Sequence, residues 1–332
     1  MATLRLALGQ VNPTVGDLAG NLALAKAALA KAEAAGADLL VLPELALTGY
    51  PPEDLLLKAG FVAGAEAALA ELAASTTSTA VAVGTVLALE GPNAALEAPS
   101  DARHAMGAKA HLVNAVALLA GGRELGVTYK QLLPNYGVFD ERRWFTPGAP
   151  GAQVFELGGV RIGMTVCEDL WSPSGPAAQL AGEVALVVNV NASPFSRGRQ
   201  RDREEMVAER VAQMGAAVAY VNLVGGQDEL VFDGGSFAMD ANGSVVARSP
   251  RFAEAVTVLD LELPEVTGSS ASLASASGAV AREALSPLLE PEQLGDLAEV
   301  YAALVLGTHD YLTKGGFTDA VIGLSGGIDS TI

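Results

Sequence analysis

Short apolar runs of strand length recur along most of the chain, and helical patterns lie between several of them. The predicted strands lie near residues 3–10, 37–43, 80–87, 112–120, 124–130, 160–166, 184–190 and 217–223. A later hairpin is predicted across residues 237–247, with its turn at Asn242 and Gly243. Such a mixture of βα and ββ units favours an α/β fold in which two sheets pack face to face with helices outside.

One of these runs is followed directly by the only cysteine of the chain. Cys167 follows the apolar run at 160–166 and precedes the acidic pair Glu168 and Asp169. A thiol at the carboxyl tip of a buried strand faces the first backbone amides of a following helix, which favour an anion. The alternative is a small buried hydrophobic residue. The flanking charges and the motifs elsewhere in the chain favour a reactive thiol.

A nucleophilic cysteine needs a base, and histidine is in short supply here. The chain has three histidines, which are His104, His111 and His309. The first two lie in or beside a stretch of small residues, and the third lies in the C-terminal segment. A Cys–His pair therefore has little support, and the remaining candidates are carboxylates and lysines at strand ends.

Glu44 and Lys130 end two further strand signals. Glu44 follows a strand that comes after a helix predicted over 21–35, and a partly desolvated carboxylate there is a suitable proton acceptor. Lys130 ends the second arm of a hairpin that turns at residues 121–122. Taken singly, each is better explained as an exposed strand-end charge. Taken with Cys167, they repeat the placement typical of α/β active sites.

Three ordered segments carry a resemblance to the nitrilase superfamily, also called carbon-nitrogen hydrolases. They are residues 43–50 (PELALTGY), 129–141 (YKQLLPNYGVFDE) and 167–171 (CEDLW). Within that superfamily, residues 51–55 (PPEDL) and 133–141 resemble the glutaminase domain of glutamine-dependent NAD synthetases. The resemblance covers roughly residues 3–260 and implies a four-layer α-β-β-α nitrilase-like sandwich with a Glu-Lys-Cys triad.

The resemblance implies a catalytic role for four side chains. Cys167 is expected to attack the side-chain amide of glutamine after Glu44 takes its proton. Lys130 and the backbone N–H of Glu168 are expected to stabilise the oxyanion. Glu141 matches a further acid that holds the geometry of the site, although a solvated loop acid is the alternative. No cofactor is expected for this domain.

Glutamine also needs partners for its α-amino and α-carboxylate groups. By resemblance, the pocket is bordered by Tyr50, Tyr136 and Glu168. The loop at residues 191–199 offers Ser193 as a hydrogen-bonding group and Arg199 as a carboxylate clamp. The choice of arginine stays open, and the alternatives to Arg199 are Arg197 and Arg201.

A second motif lies near the C-terminus. Residues 320–324 predict a strand, and the loop SGGIDS follows it at 325–330. Its two glycines and its hydroxyls suit a phosphate at the start of a helix, but the Gly-Lys-Ser/Thr ending of a Walker loop is missing. The loop resembles the pyrophosphate-binding loop of ATP pyrophosphatases, which implies that ATP contacts Ser325, Gly326, Gly327, Ile328, Asp329 and Ser330. The complete protein would then use ATP and Mg²⁺ to activate deamido-NAD.

The predicted domain order is a carbon-nitrogen hydrolase domain at 1–262, a linker at 263–290 and a Rossmann-like ATP pyrophosphatase segment at 291–332. Within the linker, residues 267–278 are rich in serine, alanine and glycine. A helix is predicted to enter the last segment at about 291–312. Because the phosphate loop lies at the end of the chain, we expect this segment to be truncated and the chain to supply only the glutaminase half. We expect residues 296–332 to be mobile or packed on a neighbour.

Residues 91–110 depart from the family, because an insertion containing proline, alanine and glycine separates two strands there. We expect a surface loop and assign no function to it.

Composition narrows the class of protein. A net charge of −18 argues against nucleic-acid binding, and a single cysteine excludes internal disulfides and Cys-rich zinc sites. The N-terminus alternates apolar and polar or small residues as a strand does, and the apolar stretches are too short and too interrupted for a membrane span. We therefore expect a soluble cytoplasmic enzyme that contacts no membrane. A homo-oligomer is expected because nitrilase-like folds commonly associate.

Two other functions stay open. One is a stand-alone amidase or nitrilase of the same superfamily, which the phosphate loop disfavours. The other is a non-catalytic assembly or regulatory domain.

Overall fold

The computed structural model describes residues 2–89, 111–268, 275–276, 285, 294–328 and 330–331. The helices are α1 Leu18–Ala34, α2 Ala59–Ser75, α3 Glu168–Trp171, α4 Arg199–Met214 and α5 Asp296–Lys314, with 3-10 turns at Glu53–Leu57, Glu141–Arg143 and Pro176–Leu180. The strands are β1 Ala2–Gln10, β2 Leu39–Val41, β3 Ala80–Leu89, β4 His111–Ala120, β5 Arg123–Tyr129, β6 Val154–Leu157, β7 Val160–Val166, β8 Leu186–Asn191, β9 Ala217–Asn222, β10 Val224–Gln227, β11 Leu230–Asp233, β12 Phe237–Met239, β13 Val245–Arg248, β14 Ala255–Leu263 and β15 Ser275–Ala276.

These strands form two large sheets and a small hairpin. The first sheet has the order β14-β1-β2-β3-β4-β5, and the second has the order β13-β12-β9-β8-β7-β6-β15. The hairpin consists of β10 and β11. In each large sheet three neighbouring strands run parallel, β1, β2 and β3 in the first and β7, β8 and β9 in the second. Parallel strands end at one edge, so each sheet has an edge where several carboxyl ends meet.

The two sheets pack face to face. Leu4, Leu6 and Leu8 of β1 lie in one buried cluster with Ile162 and Met164 of β7, because alternate side chains of a strand point to the same face. The opposite face of the first sheet packs against α1 and α2, and the opposite face of the second packs against α4. The layer order helix, sheet, sheet, helix confirms the expected mixed α/β sandwich.

Local signals explain where the helices begin and end. The Asp17 side chain accepts a hydrogen bond of 2.9 Å from the Gly20 N–H at the start of α1. The helix stops before Gly36, which adopts a positive φ of 67° that glycine tolerates without strain. Helix α4 stops in the same way at Gly215, with φ of 70°.

All eight predicted strands and the late hairpin are present within a few residues of the expected positions. The turn at residues 121–122 joins β4 to β5, as predicted. The sequence patterns missed helix α2 and strands β6 and β14. The predicted surface loop at 91–110 lies outside the described residues, and so does most of the predicted linker. Within the linker, Ser275 and Ala276 form β15, which pairs with β6 and becomes the last strand of the second sheet.

The structure contradicts two expectations for the C-terminal segment. The strand predicted at 320–324 is wrong, because Val321 is fully exposed and no described strand runs beside this stretch to accept its hydrogen bonds. The expectation that residues 296–332 are mobile or packed on a neighbour is wrong for helix α5, one side of which packs on the hairpin of β10 and β11 in the same chain. Gly226 and Gly307 lie at this contact, where a Cβ on Gly226 would come within 2.9 Å of the Gly307 Cα.

Candidate active site

Three strand ends bring Glu44, Lys130 and Cys167 to the candidate site. Glu44 and Lys130 follow β2 and β5 of the first sheet, and Cys167 follows β7 of the second. The exposed fractions of Glu44 and Lys130 are 0%, and that of Cys167 is 5%. The alternative that Glu44 and Lys130 are exposed charges at strand ends is therefore wrong.

Lys130 lies between two carboxylates. Its Nζ is 2.7 Å from Glu44 Oε1 and 2.7 Å from Glu141 Oε1. Burial opposes the charge on Lys130, but Glu141 and Glu44 outweigh it and raise the pKa of Lys130 well above its usual value. The lysine is therefore a fixed cation, and an ammonium carries three N–H donors, of which these carboxylates take two.

Glu44 is held from three sides. Besides the Lys130 contact, its Oε1 accepts a hydrogen bond of 2.7 Å from Asn114 Nδ2, and its Oε2 accepts one of 2.9 Å from the Ala192 N–H. The backbone around it is also tightly packed, because a Cβ on Gly84 of β3 would come within 2.5 Å of the Glu44 Cα. The carboxylate is thus fixed in orientation before any substrate arrives.

Cys167 occupies a sharp turn between β7 and α3. Its φ of 44° and ψ of −104° are unusual for a residue with a side chain, and its N–H donates to the Val190 oxygen at 2.9 Å. Burial raises the pKa of the Cys167 thiol well above its usual value, and the Glu44 charge adds to this although Lys130 opposes it. The expectation that helix amides favour the thiolate is thus outweighed by desolvation. The resting thiol is protonated and needs a base.

Glu141 faces Lys130 from the 3-10 turn at Glu141–Arg143. Its Oε1 also accepts a hydrogen bond of 2.9 Å from the Tyr50 hydroxyl, and its Oε2 has no hydrogen-bond partner among the described residues. Burial raises the pKa of Glu141 to about 7, against the opposing effect of Lys130. The alternative of a solvated loop acid is wrong, since the residue is buried.

Asp169 joins the turn at Cys167 to the segment after Lys130. Its Oδ1 accepts hydrogen bonds of 3.1 Å from the Gln131 N–H and 2.8 Å from the Leu132 N–H. Burial raises the pKa of Asp169 to about 6, which these backbone donors oppose. The sequence showed an acidic residue here but could not show which N–H groups it would meet.

The predicted substrate residues lie around this centre. Tyr50 is buried, whereas Tyr136 is largely exposed and donates a hydrogen bond of 2.9 Å to Glu168 Oε2. Both Tyr136 and Glu168 line a cavity of about 520 Å³. The same cavity is lined by Arg142, which was not predicted. Ser193 is buried in the loop after β8.

The three candidate arginines differ in their surroundings. The Arg199 guanidinium lies 4.4 Å from the centre of the Trp171 ring, and Trp171 is in α3, next to the cysteine turn. Arg201 points to solvent, where its Nε is 3.9 Å from Glu205 Oε1. Arg197 is exposed. Of the three arginines, Arg199 is therefore the one that contacts α3.

Neither of the two histidines that the structure describes takes part in this cluster. His111 begins β4 and contacts Thr146, and His309 in α5 contacts Asp310. His104 lies outside the described residues. Within the described ranges, no group of three or more His, Cys, Asp or Glu side chains could hold a metal ion. None of the described helices combines the length and apolar character that crossing a membrane requires.

Two face-to-face sheets with helices on both outer sides, and a buried cysteine at a strand end, define an α/β sandwich of the nitrilase type. The carbon-nitrogen hydrolase family model matches residues 5–269. The chain belongs to this family.

Curated relatives and solved structures agree with this assignment. A glutamine-dependent NAD(+) synthetase from Thermotoga maritima is 39% identical over 100% of this chain and 57% of its own length, and one from Rhodobacter capsulatus is 40% identical over 99% and 53%. The ADP complex of the glutamine-dependent NAD+ synthetase from Acinetobacter baumannii matches with a TM-score of 0.80 and 32% identity, over 99% of this chain and 56% of that one. The chain thus spans about half the length of these relatives.

A smaller relative matches over most of its own length. It is an amidase from Nesterenkonia sp. AN1, solved after Michael addition of acrylamide at its active-site cysteine. The TM-score is 0.63 and the identity 26%, over 79% of this chain and 93% of the amidase. The solved synthetase and the solved amidase therefore share the fold of this chain.

Proposed function

We propose that this chain is a glutaminase that hydrolyses glutamine through a Cys167 thioester and that its complete protein is a glutamine-dependent NAD+ synthase. One observation carries the chemistry: the buried cluster in which Lys130 lies 2.7 Å from both Glu44 and Glu141, beside the cysteine turn. Such a cluster joins a base and a fixed cation in one dry site. Glutamine as substrate is supported by the names of the synthetase relatives.

Glu44 is proposed as the base and Cys167 as the nucleophile. The thiol proton passes to Glu44, and the sulfur attacks the side-chain amide carbon of glutamine. Desolvation keeps the free thiol protonated, so the proton transfer has to accompany attack. The hydrogen bonds that Asn114 and Ala192 donate to Glu44 support this role because they hold the carboxylate in one orientation.

Lys130 is proposed to stabilise the oxyanion together with the Glu168 N–H. Two of its three N–H donors meet carboxylates, which leaves the third for the substrate oxygen. Glu168 is the first residue of α3, and its N–H therefore lacks an acceptor within the helix. Loss of one oxyanion donor typically lowers kcat by a factor of ~100 to 1000.

Glu44 then returns its proton to the leaving nitrogen, and ammonia departs. This step leaves a γ-glutamyl thioester on Cys167. A water molecule gives a proton to Glu44 and attacks the thioester, glutamate leaves, and the proton returns to the sulfur. Glu141 is proposed to hold Lys130 in place throughout and to touch no reacting atom.

Glutamine binding is proposed at the wall formed by Tyr136 and Glu168. The Glu168 carboxylate suits the α-ammonium group, and Arg199 suits the α-carboxylate. Tyr50 and Ser193 are the two remaining residues proposed to bind glutamine. The stacking of Arg199 on Trp171 supports Arg199 over the exposed Arg197 and Arg201.

The complete protein is proposed to transfer the ammonia to deamido-NAD that ATP has activated. We divide the chain into a glutaminase domain at 1–262, a linker at 263–290 and the start of a Rossmann-like synthetase domain at 291–332. The exposed apolar residues of α5 support this division, since they suit the core of a further domain: Leu297, Tyr301, Leu304, Val305 and Tyr311.

ATP is proposed to bind the loop at 325–330. The Ser325 and Ser330 hydroxyls lie 3.0 Å apart, and Gly326 has a positive φ of 81°, so two hydroxyls converge beside a glycine that lets a phosphate approach the backbone. Gly327 and Ile328 belong to the same loop, and Asp329 lies outside the described residues. Mg²⁺ would reach such a site with the phosphates of ATP, which usually supply several of its ligands.

The single cysteine and the net charge of −18 support a cytoplasmic protein that binds no nucleic acid and no membrane. We also propose a homo-oligomer, because nitrilase-like folds commonly associate.

Intact-protein mass spectrometry with glutamine, alongside an ammonia assay, tests the glutaminase. We expect a thioester adduct on the chain and ammonia release, both absent from Cys167→Ala. Simple amides tested in parallel separate the glutaminase from a stand-alone amidase. Ammonia release that persists in Cys167→Ala, or a preference for simple amides, would overturn the proposal.

A further inference from the structure

One buried carboxylate outside the cluster serves two arginines. Asp233, at the end of β11, has an exposed fraction of 0%. Its Oδ1 accepts from Arg203 Nη1 at 2.9 Å, and its Oδ2 accepts from Arg251 Nη2 at 2.9 Å. A buried carboxylate between two guanidinium groups positions both of them, and without it the fully buried Arg203 would be an uncompensated charge.

The first arginine holds the loop beside Glu44. Arg203 lies in α4 and donates to the Ser193 oxygen at 2.8 Å and to Ser193 Oγ at 3.3 Å. The preceding residue, Ala192, is the one whose N–H donates to Glu44 Oε2 at 2.9 Å. We call residues 192–195 the Ser193 turn. A shift of Arg203 would move this turn, and with it a donor to the proposed base.

The second arginine reaches the C-terminal helix. Arg251 Nη1 donates to Glu299 Oε1 in α5. Its guanidinium also lies 5.7 Å from the centre of the Phe195 ring, which belongs to the Ser193 turn. The contact with α5 and the contact with the turn therefore meet at one side chain.

We propose that Asp233 is a positioning residue of the glutaminase site: through Arg203 it holds the Ser193 turn against Glu44, and through Arg251 it couples that turn to the seating of α5 on the hairpin. This inference rests on the proposed glutaminase. It identifies a route of hydrogen bonds and ion pairs from Glu299 in α5 to Glu44.

The Ser193 turn is also held by two hydrogen bonds that its backbone N–H groups donate. Loss of the Asp233 charge should therefore displace the turn without unfolding it. The Ser193 N–H donates to Asn222 Oδ1 at 2.8 Å, and the Phe195 N–H donates to the Val231 oxygen at 2.7 Å. Neither bond involves Asp233, so we expect both to remain when its charge is removed. A displacement of about 1 Å at a catalytic group can cost up to ~100-fold in rate.

The test compares Asp233→Asn, Arg251→Met and Glu299→Gln in the full chain. Reactive sites are counted by intact mass after Cys167 is labelled with a diazoketone analogue of glutamine. Ammonia release is then expressed per labelled site, to give kcat and KM. Glu204→Gln is the matched control, because Glu204 follows Arg203 in α4 and forms an ion pair of 2.9 Å with Arg248 in β13.

We expect kcat/KM per labelled site to fall by about 10- to 100-fold in Asp233→Asn. Glu299→Gln should change it in the same direction but less, and the Glu204→Gln control should leave it unchanged. A purely structural role would lower only the labelled fraction, so unchanged kcat and KM per site in Asp233→Asn would overturn the proposal. If that variant does not fold, unchanged values in both Arg251→Met and Glu299→Gln would overturn it.

The unaltered chain separates this inference from the proposed function. If it releases no ammonia from glutamine, the proposed function fails and the inference fails with it. If it releases ammonia and the variants match it per site, only the inference fails.

Discussion

The Asp169 carboxylate, two residues after Cys167, accepts a hydrogen bond of 2.8 Å from the backbone N–H of Leu132, two residues after Lys130. This bond joins the two sheets where their polar strand ends meet, because Cys167 follows β7 and Lys130 follows β5. The distance between the proposed nucleophile and the proposed oxyanion donor therefore depends on a side chain that touches neither.

Removal of the Asp169 side chain should slow the reaction and weaken the fold. Asp169→Ala leaves the N–H groups of the half-buried residues Gln131 and Leu132 without their acceptor, which costs up to about 3 kcal/mol of the free energy of unfolding. We expect kcat for glutamine to fall about 10- to 100-fold as the two strand ends separate. Urea unfolding and ammonia release measure the two effects. Full kcat in a folded Asp169→Ala would show that the junction does not position the site.

A side chain at Gly84 should lower both stability and ammonia release by a steric effect. A Cβ there would come within 2.4 Å of the Pro43 oxygen and 2.4 Å of the Leu45 nitrogen, on either side of Glu44. Gly84→Ala must push β3 away from this strand end, and overpacking of this kind costs about 1–3 kcal/mol of the free energy of unfolding. We expect ammonia release to fall with it.

Gly60→Ala is the matched control for Gly84→Ala. Gly60 lies in α2, and a Cβ there would have nothing within 4 Å. Alanine is also the better helix former by up to about 1 kcal/mol, so stability should hold or rise. Equal melting temperatures for the two variants would contradict the steric argument.

The strand ends could be predicted because their signals are local. Apolar runs of strand length mark where each strand stops, and Glu44, Lys130 and Cys167 each follow such a run. Parallel strands then bring their carboxyl ends to one edge of each sheet. The strand predicted at 320–324 failed for the complementary reason, since a strand also needs a neighbour, which no local pattern contains.

Partners set by tertiary structure could not be predicted. The sequence shows the acids at Asp169 and Asp233 but not which donors they meet, because those donors lie 37 and 30 residues away in the chain. The close approach of Gly84 to the Glu44 backbone was hidden for the same reason. The residues that hold the site in place without belonging to it therefore became visible only in the folded structure.

Arg199 and Arg201 can be separated by their effect on KM. Arg199 is held over the Trp171 ring, whereas Arg201 is exposed and faces Glu205. Loss of a charge-assisted hydrogen bond is worth about 1.5–3 kcal/mol, so Arg199→Met should raise KM for glutamine about 10- to 100-fold with little change in kcat. Arg201→Met should leave KM unchanged. A larger effect from Arg201→Met in a steady-state ammonia assay would reverse the assignment.

Glu141 predicts how stability should depend on pH. Burial raises its pKa to about 7 in the folded protein, above its usual value near 4.3 in an unfolded chain. Between these two values the folded state holds a proton that the unfolded state has released. The free energy of unfolding should therefore fall as pH rises from about 4.3 to about 7 and level off above that range.

Glu141→Gln isolates this contribution. Glutamine cannot titrate, so the variant should lose less stability than the unaltered chain between pH 5 and pH 8. Asp169, whose pKa burial raises to about 6, contributes in the same direction in both proteins, so the comparison rests on the difference between their slopes. Urea unfolding at several pH values measures both slopes. Parallel slopes would mean that Glu141 stays ionised in the folded protein, bound to Lys130 as a permanent carboxylate.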